Sequence, residues 1–278
     1  MVLKKPEWMK IKVRGSGKFM AVEDLLSDLN LNTVCVEANC PNKMECYERK
    51  TSTFMILGAN CTRNCKYCNV TCARPEEVDP KEPRNLATAV DRLKLKHAVV
   101  TSVTRDDLED EGANQFAEVI REIRKLNSEV TVEVLIPDLH AKKELLDIIF
   151  VEKPEVLNHN IEAVRSIFKT VRPQGDYERS LDVLKQAKES GLVTKSGFMV
   201  GLGETKEEVF ETLEDLRSVD CDMVTIGQYL QPTKEHFEVQ RYVTPEEFDE
   251  YKARAYELGF KHVASGPFVR SSYHAQAL

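Results

Sequence analysis

The chain has 278 residues, enough for one large domain or two small ones and for a core that needs no disulfide support. Lysine and arginine total 39 against 46 acidic residues, a formal charge of −7, the reverse of the balance usual in nucleic-acid binders. Hydrophobic content of 42% and charged content of 31% are those of a water-soluble globule, which excludes disordered and membrane classes. No stretch approaches the roughly 18 apolar residues of a membrane span, and Met1-Val2-Leu3-Lys4-Lys5-Pro6 lacks the apolar run of a signal peptide. The expectation is a cytoplasmic protein with neither a membrane nor a nucleic acid as partner. In a reducing compartment, eight cysteines point to metal or cofactor ligation rather than to disulfides.

Residues 1–50 show no clear alternation of helix and strand patterns and read as an N-terminal extension. A first strand is expected at 53–57 and a helix at 86–95. A strand at 97–101 and a helix at 114–126 follow, then a strand at 130–136 and a helix at 142–150. A strand at 155–158 leads to helices at 161–168 and 177–190, and strands at 196–200 and 223–226 are separated by a helix at 206–218. The last helix is expected at 245–258. Thr205 stands three residues before Glu208, and Thr244 three before Glu247 with Pro245 between, both capping-box patterns. About six βα units imply an α/β fold with a parallel sheet, expected as an open or partial (β/α)6 barrel over 51–258; a doubly wound sheet is the alternative. Residues 259–278 form a C-terminal segment.

In such folds the carboxyl ends of the strands build the site. Cys61-Thr62-Arg63-Asn64-Cys65-Lys66-Tyr67-Cys68 follows the first strand directly and puts three thiols on one loop there. A curled loop of this length can bring three thiolates onto three irons of one four-iron cubane and leave the fourth iron open to a ligand. A zinc site of the C-x₂-C type would want a second matched pair. Cys72 could supply a fourth thiolate and close the cluster, although Ala73-Arg74-Pro75 turns the chain away. Cys35, Cys40 and Cys46 form a second set of three, and Cys221, alone in an apolar stretch, reads as a core residue. Gly201-Leu202-Gly203 between a strand and a capped helix would let backbone amides approach an anion, or serve as a plain βα turn. The acidic run Asp106, Asp107, Glu109, Asp110 and Glu111 reads first as a solvated face.

The spacing of Cys61, Cys65 and Cys68, with an aromatic before the third, resembles the radical S-adenosylmethionine enzymes. With Cys35, Cys40 and Cys46 added, the pattern is similar to the lipoyl synthases. Matching strings run through most of the chain: Pro6-Glu7-Trp8-Met9-Lys10, Ala59-Asn60-Cys61-Thr62-Arg63, Thr101-Ser102-Val103-Thr104-Arg105-Asp106-Asp107-Leu108, Phe198 to Thr205, Gly227 to Pro232, and Arg270-Ser271-Ser272-Tyr273-His274-Ala275. The resemblance implies a radical-type partial barrel holding two 4Fe-4S clusters and S-adenosylmethionine. It implies Cys61, Cys65 and Cys68 as ligands of the first cluster, and Cys35, Cys40 and Cys46 of an auxiliary cluster whose fourth ligand is a tail serine, Ser272 preferred over Ser271. Tyr67 would pack near the adenine, while Thr101, Asn158, Arg172 and Lys195 are candidate cofactor contacts, the last two for its carboxylate.

The implied activity is radical insertion of sulfur at carbons 6 and 8 of an octanoyl chain on a carrier-protein lysine, with the auxiliary cluster as the sulfur source. Implied partners are octanoylated lipoyl carrier domains, namely dehydrogenase E2 subunits and the glycine-cleavage H protein, and reduced flavodoxin or ferredoxin as electron donor. Two alternatives stay open: another radical sulfur-inserting enzyme with an auxiliary cluster, and a noncatalytic electron carrier in which Cys72 closes the first cluster.

Overall fold

Short runs of apolar and β-branched residues, each followed by an amphipathic stretch, set the architecture, and the computed structural model describes residues 4–10, 17–38, 40–48 and 52–272. The polypeptide divides into two compact units. One comprises Val13–Arg63 and Asn69–Leu157, the other Met1–Lys12, Asn64–Cys68 and Asn158–Leu278. They are called the N-terminal and C-terminal units below.

The N-terminal unit opens with α1 (Gly17–Asp28), β1 (Asn32–Thr33), α2 (Val34–Glu37) and α3 (Lys43–Glu48), so the expected extension contains helices of its own. Next come β2 (Thr53–Ile56), a two-residue parallel bridge of β3 (Asn60–Cys61) with β4 (Thr71–Cys72), α4 (Glu82–Leu93), β5 (His97–Ser102), α5 (Ala113–Leu126), β6 (Thr131–Leu135) and α6 (Lys143–Phe150). β2 pairs in parallel with β5, Phe54 opposite Val100, and β5 with β6, Val100 opposite Val134; β1 is antiparallel to β2. All four β2 residues are buried, as a parallel strand covered on both faces requires. Leu86, Val90 and Leu93 of α4 and Phe116, Ile120 and Ile123 of α5 bury one helical stripe each. α4 begins four residues before the expected start. Pro83 occupies its first turn, and the buried Glu82 carboxylate accepts the Leu57 N–H (3.0 Å) and the Gln115 side-chain amide (2.8 Å).

β7 (Val156–Asn158) carries the chain into the C-terminal unit, which continues through α7 (Arg165–Val171), α8 (Tyr177–Glu189), β8 (Thr194–Val200), α9 (Lys206–Ser218), β9 (Met223–Gln228), α10 (Pro245–Glu257) and β10 (His262–Gly266). β9 lies parallel between β8 and β10, Ile226 facing Phe198 on one side and Ser265 on the other. The α/β class with parallel strands is as expected, and β10 is an addition. Only Val263 of β10 is buried, so it lacks the apolar run that announces an inner strand. The helix expected from 161 begins instead at Arg165: Glu162 has φ 71°, outside the helical region, and forms an isolated parallel bridge to Phe198. Both expected capping boxes form, at Thr205 with Glu208 and at Thr244 with Glu247.

Asp222, 2% exposed, ties the lower ends of this unit together: it accepts from Lys188 (2.6 Å), Lys261 (2.8 Å) and the Thr194 N–H (3.0 Å). Burial works against its charge, but the two lysines win and hold the carboxyl at about 2. A carboxyl depressed on folding stabilises the fold above its unfolded pKa, near 4, and loses that contribution as pH falls through 2. The expected loss in unfolding free energy between pH 5 and pH 2 is about 2 kcal/mol from this residue. Asp222→Asn should flatten that part of the curve, as read by denaturant midpoints across the range.

Among the described residues, no helix is long and apolar enough to cross a membrane.

Candidate functional site

In the N-terminal unit, β2 ends at Ile56 and the chain reverses through Leu57 (φ 71°) and Gly58 (φ 92°) before reaching Cys61. Gly58, at φ 92°, is in a conformation that L side chains rarely adopt, so the turn favours glycine there. The Cys61 sulfur accepts the N–H groups of Arg63 (3.4 Å) and Thr104 (3.3 Å), donors suited to a thiolate. Thr62 donates both its N–H (3.1 Å) and its hydroxyl (3.0 Å) to the Thr104 carbonyl. Arg63, 4% exposed, grips Asp106 with Nε (2.8 Å) and Nη2 (2.6 Å), and Asp138 with Nη1 (2.9 Å). Partial burial opposes ionisation of Asp106, yet the Arg63 bonds and charge keep its carboxyl below the ordinary range.

The acidic run is therefore mostly engaged rather than a free solvated face. Asp107 pairs with Arg105, Asp110 accepts the N–H groups of Gly112 and Asn114, and buried Glu111 contacts His140 Nδ1 (2.8 Å) and Lys142 (2.8 Å); Glu109 alone of the five is exposed without a described partner of this kind. Thr101 is buried on β5 with its hydroxyl donated to the Leu135 carbonyl (2.8 Å). Cys72 is exposed and stands in register with Cys61 across the β3–β4 bridge.

Cys35, Cys40 and Cys46 lie on and between α2 and α3 of the same unit. The Cys40 N–H donates to the Cys35 carbonyl (3.2 Å) and the Cys46 N–H to that of Asn42 (3.0 Å). Burial pushes the Cys35 thiol up to about 11. Asn69, one residue past Cys68, donates its side-chain amide to the Glu37 carbonyl (2.8 Å) within this segment. None of the eight cysteines is in a disulfide, and Cys221 is fully buried, as expected of a core thiol.

Cys65 and Cys68 belong to the C-terminal unit, held by backbone on two sides. Lys66 donates its N–H to the Val171 carbonyl at the end of α7 (2.7 Å), and its own carbonyl accepts the Phe237 N–H (2.9 Å). His236 Nε2 lies 2.9 Å from the Cys68 carbonyl, which makes that nitrogen the protonated one. Tyr67 packs against Val171, Leu202 and Tyr229, its hydroxyl bonded to Glu162, and burial raises both groups' pKa values.

Arg172, beside this pair, donates Nη1 to the Asn160 carbonyl (3.3 Å), and Asn160 donates its amide to the Ser271 hydroxyl oxygen (3.2 Å). Tyr67, Glu162, Arg172, Asn160 and Ser271 thus form one connected polar group. Glu162 escaped the sequence reading because nothing in its neighbourhood marks a carboxylate as buried. Asn158 is buried at the end of β7, and Ser272 is half-buried; Tyr273, His274 and Ala275 of the tail string lie outside the described residues. Lys195 is 0% exposed, because β8 begins at Thr194 and is covered along nearly all its length. The amides at Gly201 and Leu202 are taken by the chain's own Glu204 carboxylate (2.6 and 2.9 Å), which makes that loop a βα turn closed on itself. In the C-terminal unit the buried Asn160 Oδ1 has no hydrogen-bond partner among the described residues.

The sequence profile of the radical SAM superfamily matches residues 55–216. The chain is 54% identical over 277 residues to the lipoyl synthase of Caldanaerobacter subterraneus subsp. tengcongensis, covering 99% of this chain and 97% of that protein. It is 55% identical to the lipoyl synthase of Chlorobaculum tepidum, covering 99% and 95%. Among solved structures, methylornithine synthase matches with a TM-score of 0.57 at 14% identity (87% of this chain, 81% of that one), and the hydrogenase maturase HydG with 0.58 at 16% (90% and 68%). At that identity the two structures share the fold alone. Profile and full-length identity together place the chain in the lipoyl synthase family of the radical SAM superfamily.

Proposed function

We propose that this chain is a radical sulfurtransferase that inserts two sulfur atoms, at carbons 6 and 8, into an octanoyl chain amide-linked to a lysine of a lipoyl carrier protein. The observation that carries this reading is the 54–55% identity to lipoyl synthases over 98–99% of the chain. Superfamily membership brings one 4Fe-4S cluster and S-adenosylmethionine, which when bound supply a 5′-deoxyadenosyl radical able to take hydrogen from an unactivated C–H bond.

The donor set fits: three thiols within eight residues, one of them already facing two N–H groups. Cys61, Cys65 and Cys68 would hold that cluster, with Tyr67 covering it. Arg172 and Lys195 would meet the cofactor carboxylate, and Asn158 and Thr101 its polar edge. Cys35, Cys40 and Cys46 would hold an auxiliary 4Fe-4S cluster with Ser272, whose neighbour Ser271 already accepts from Asn160. A hydroxyl binds iron more weakly than a thiolate, which suits a cluster that gives up its sulfide.

The functional division is then 1–50 for the auxiliary cysteines, 51–258 for the barrel and 259–278 for the serine ligand. The protein's own part is positioning and exclusion of water and oxygen. Carrier partners are E2 subunits and the H protein, reduced flavodoxin or ferredoxin supplies electrons, and the compartment is the cytoplasm. The test is anaerobic incubation of the iron-loaded chain with S-adenosylmethionine, dithionite and an octanoylated carrier domain. Lipoyl-lysine detected by mass spectrometry is expected. 5′-Deoxyadenosine without lipoyl-lysine would favour a different radical reaction, and neither product would favour an electron carrier.

A further inference from the structure

We propose that Asp106 and Asp138 are positioning residues of the iron–sulfur site: through Arg63 they aim two backbone N–H groups at the Cys61 sulfur and so set the potential at which the site accepts an electron. This rests on the reading that Cys61, Cys65 and Cys68 hold a cluster.

The Arg63 guanidinium is spent inside the protein. Nε and Nη2 go to Asp106, Nη1 goes to Asp138, and Nη2 also faces His140 Nε2 at 3.5 Å. It cannot also grip a substrate or cofactor anion. Nor is this a cation site: the ligand atoms of Asp106, Glu111 and His140 lie within 4.8 Å of one another, but Arg63 and Lys142 already neutralise them. Burying charges this deeply costs desolvation that their attraction barely returns, so stability alone explains the network poorly.

Geometry explains it better. Residues 61–63 and 104–106 are cross-bonded, through Thr62 to the Thr104 carbonyl, the Asp106 N–H to Thr62 Oγ1 (3.2 Å) and Arg63 to Asp106. The N–H groups of Arg63 and Thr104 both point at the Cys61 sulfur. Hydrogen bonds to a ligating sulfur draw off electron density and favour the reduced, more negative cluster. Asp138 anchors the far side of Arg63, 75 residues away in sequence and itself 0% exposed.

The experiment uses the full chain, iron-loaded under anaerobic conditions, and follows the reduced-cluster spin signal that is absent from Cys61→Ala. Asp106→Glu and Asp138→Glu, which keep the charge but move each carboxylate by one methylene, should load wild-type iron and sulfide. At the wild-type midpoint potential their reduced-to-oxidised ratio should fall about tenfold, which is about 59 mV for a one-electron couple. Lys142→Gln, at the outer edge of the same network, should leave the ratio unchanged. A wild-type ratio in both aspartate variants overturns the proposal even if they melt earlier. If either fails to load iron, Arg63→Lys takes its place, since an ammonium cannot span both carboxylates, and a wild-type ratio there overturns it equally. A wild-type chain with no Cys61-dependent signal would instead refute the cluster reading itself.

Discussion

Cys40→Ala is expected to keep cleaving S-adenosylmethionine to 5′-deoxyadenosine while forming no C–S bond, whereas Cys65→Ala should do neither. The asymmetry follows from which set of thiols each belongs to. Cys65 lies in the loop expected to hold the cofactor-cleaving cluster, and Cys40 among the thiols expected to hold the sulfur source. Neither substitution should disturb the local fold. The Cys40 N–H bond to the Cys35 carbonyl (3.2 Å) and the Cys68 N–H bond to the Cys65 carbonyl (3.2 Å) are backbone contacts that alanine retains. Iron analysis supplies the control: about eight irons per wild-type chain if two four-iron clusters are present, and about four in each variant. Lipoyl product from Cys40→Ala would refute the assignment of the sulfur source. Loss of 5′-deoxyadenosine in Cys40→Ala would show that the two sets do not work independently.

Phe168→Ala should lower the unfolding free energy by about 3–5 kcal/mol, the range for an aromatic truncated in a closed core. Phe168 is 1% exposed, meets the Tyr177 ring edge-on at 5.5 Å between centroids and lies 5.7 Å from the Arg172 guanidinium. The cost would reach the site, because α7 is the element that ends at Val171, whose carbonyl holds the Lys66 N–H between Cys65 and Cys68. Phe168→Leu should recover most of the loss, since it leaves a smaller cavity. Denaturant midpoints at unchanged slope are the measurement. A loss below about 1 kcal/mol would mean that the surrounding side chains close the gap and that α7 is not held by this ring.

The inner strands were legible because parallel strands buried on both faces must be apolar along their length, as in His97–Ser102 and Met223–Gln228. The errors have equally specific causes. Ile161, Val164 and Phe168 recur at helical spacing, yet the first two are buried ahead of α7, where Glu162 bridges to β8, so the same period arises without a helix. Thr194 and Lys195 read as a polar approach to β8 and are wholly buried strand residues. In α1, Val22 and Leu26 bury one face, but the stripe is too short to stand out from sequence.

The sequence by itself determined the chemistry on offer: the spacing of seven cysteines, the position of three of them just after a first strand, and an α/β chain with parallel strands. Those are properties of contiguous chain, and ligand spacing survives without knowledge of register. Only the tertiary structure decided which distant groups serve that loop. Asp138 meets Arg63 across 75 residues, Glu37 meets Asn69 across 32, and Val171 holds Lys66. It also decided that the Gly201 amides are filled by Glu204 and that Glu162 is a buried acid beside Tyr67. Hydrogen bonds and desolvation depend on which surfaces face one another once the strands are in register, and no local pattern carries that information.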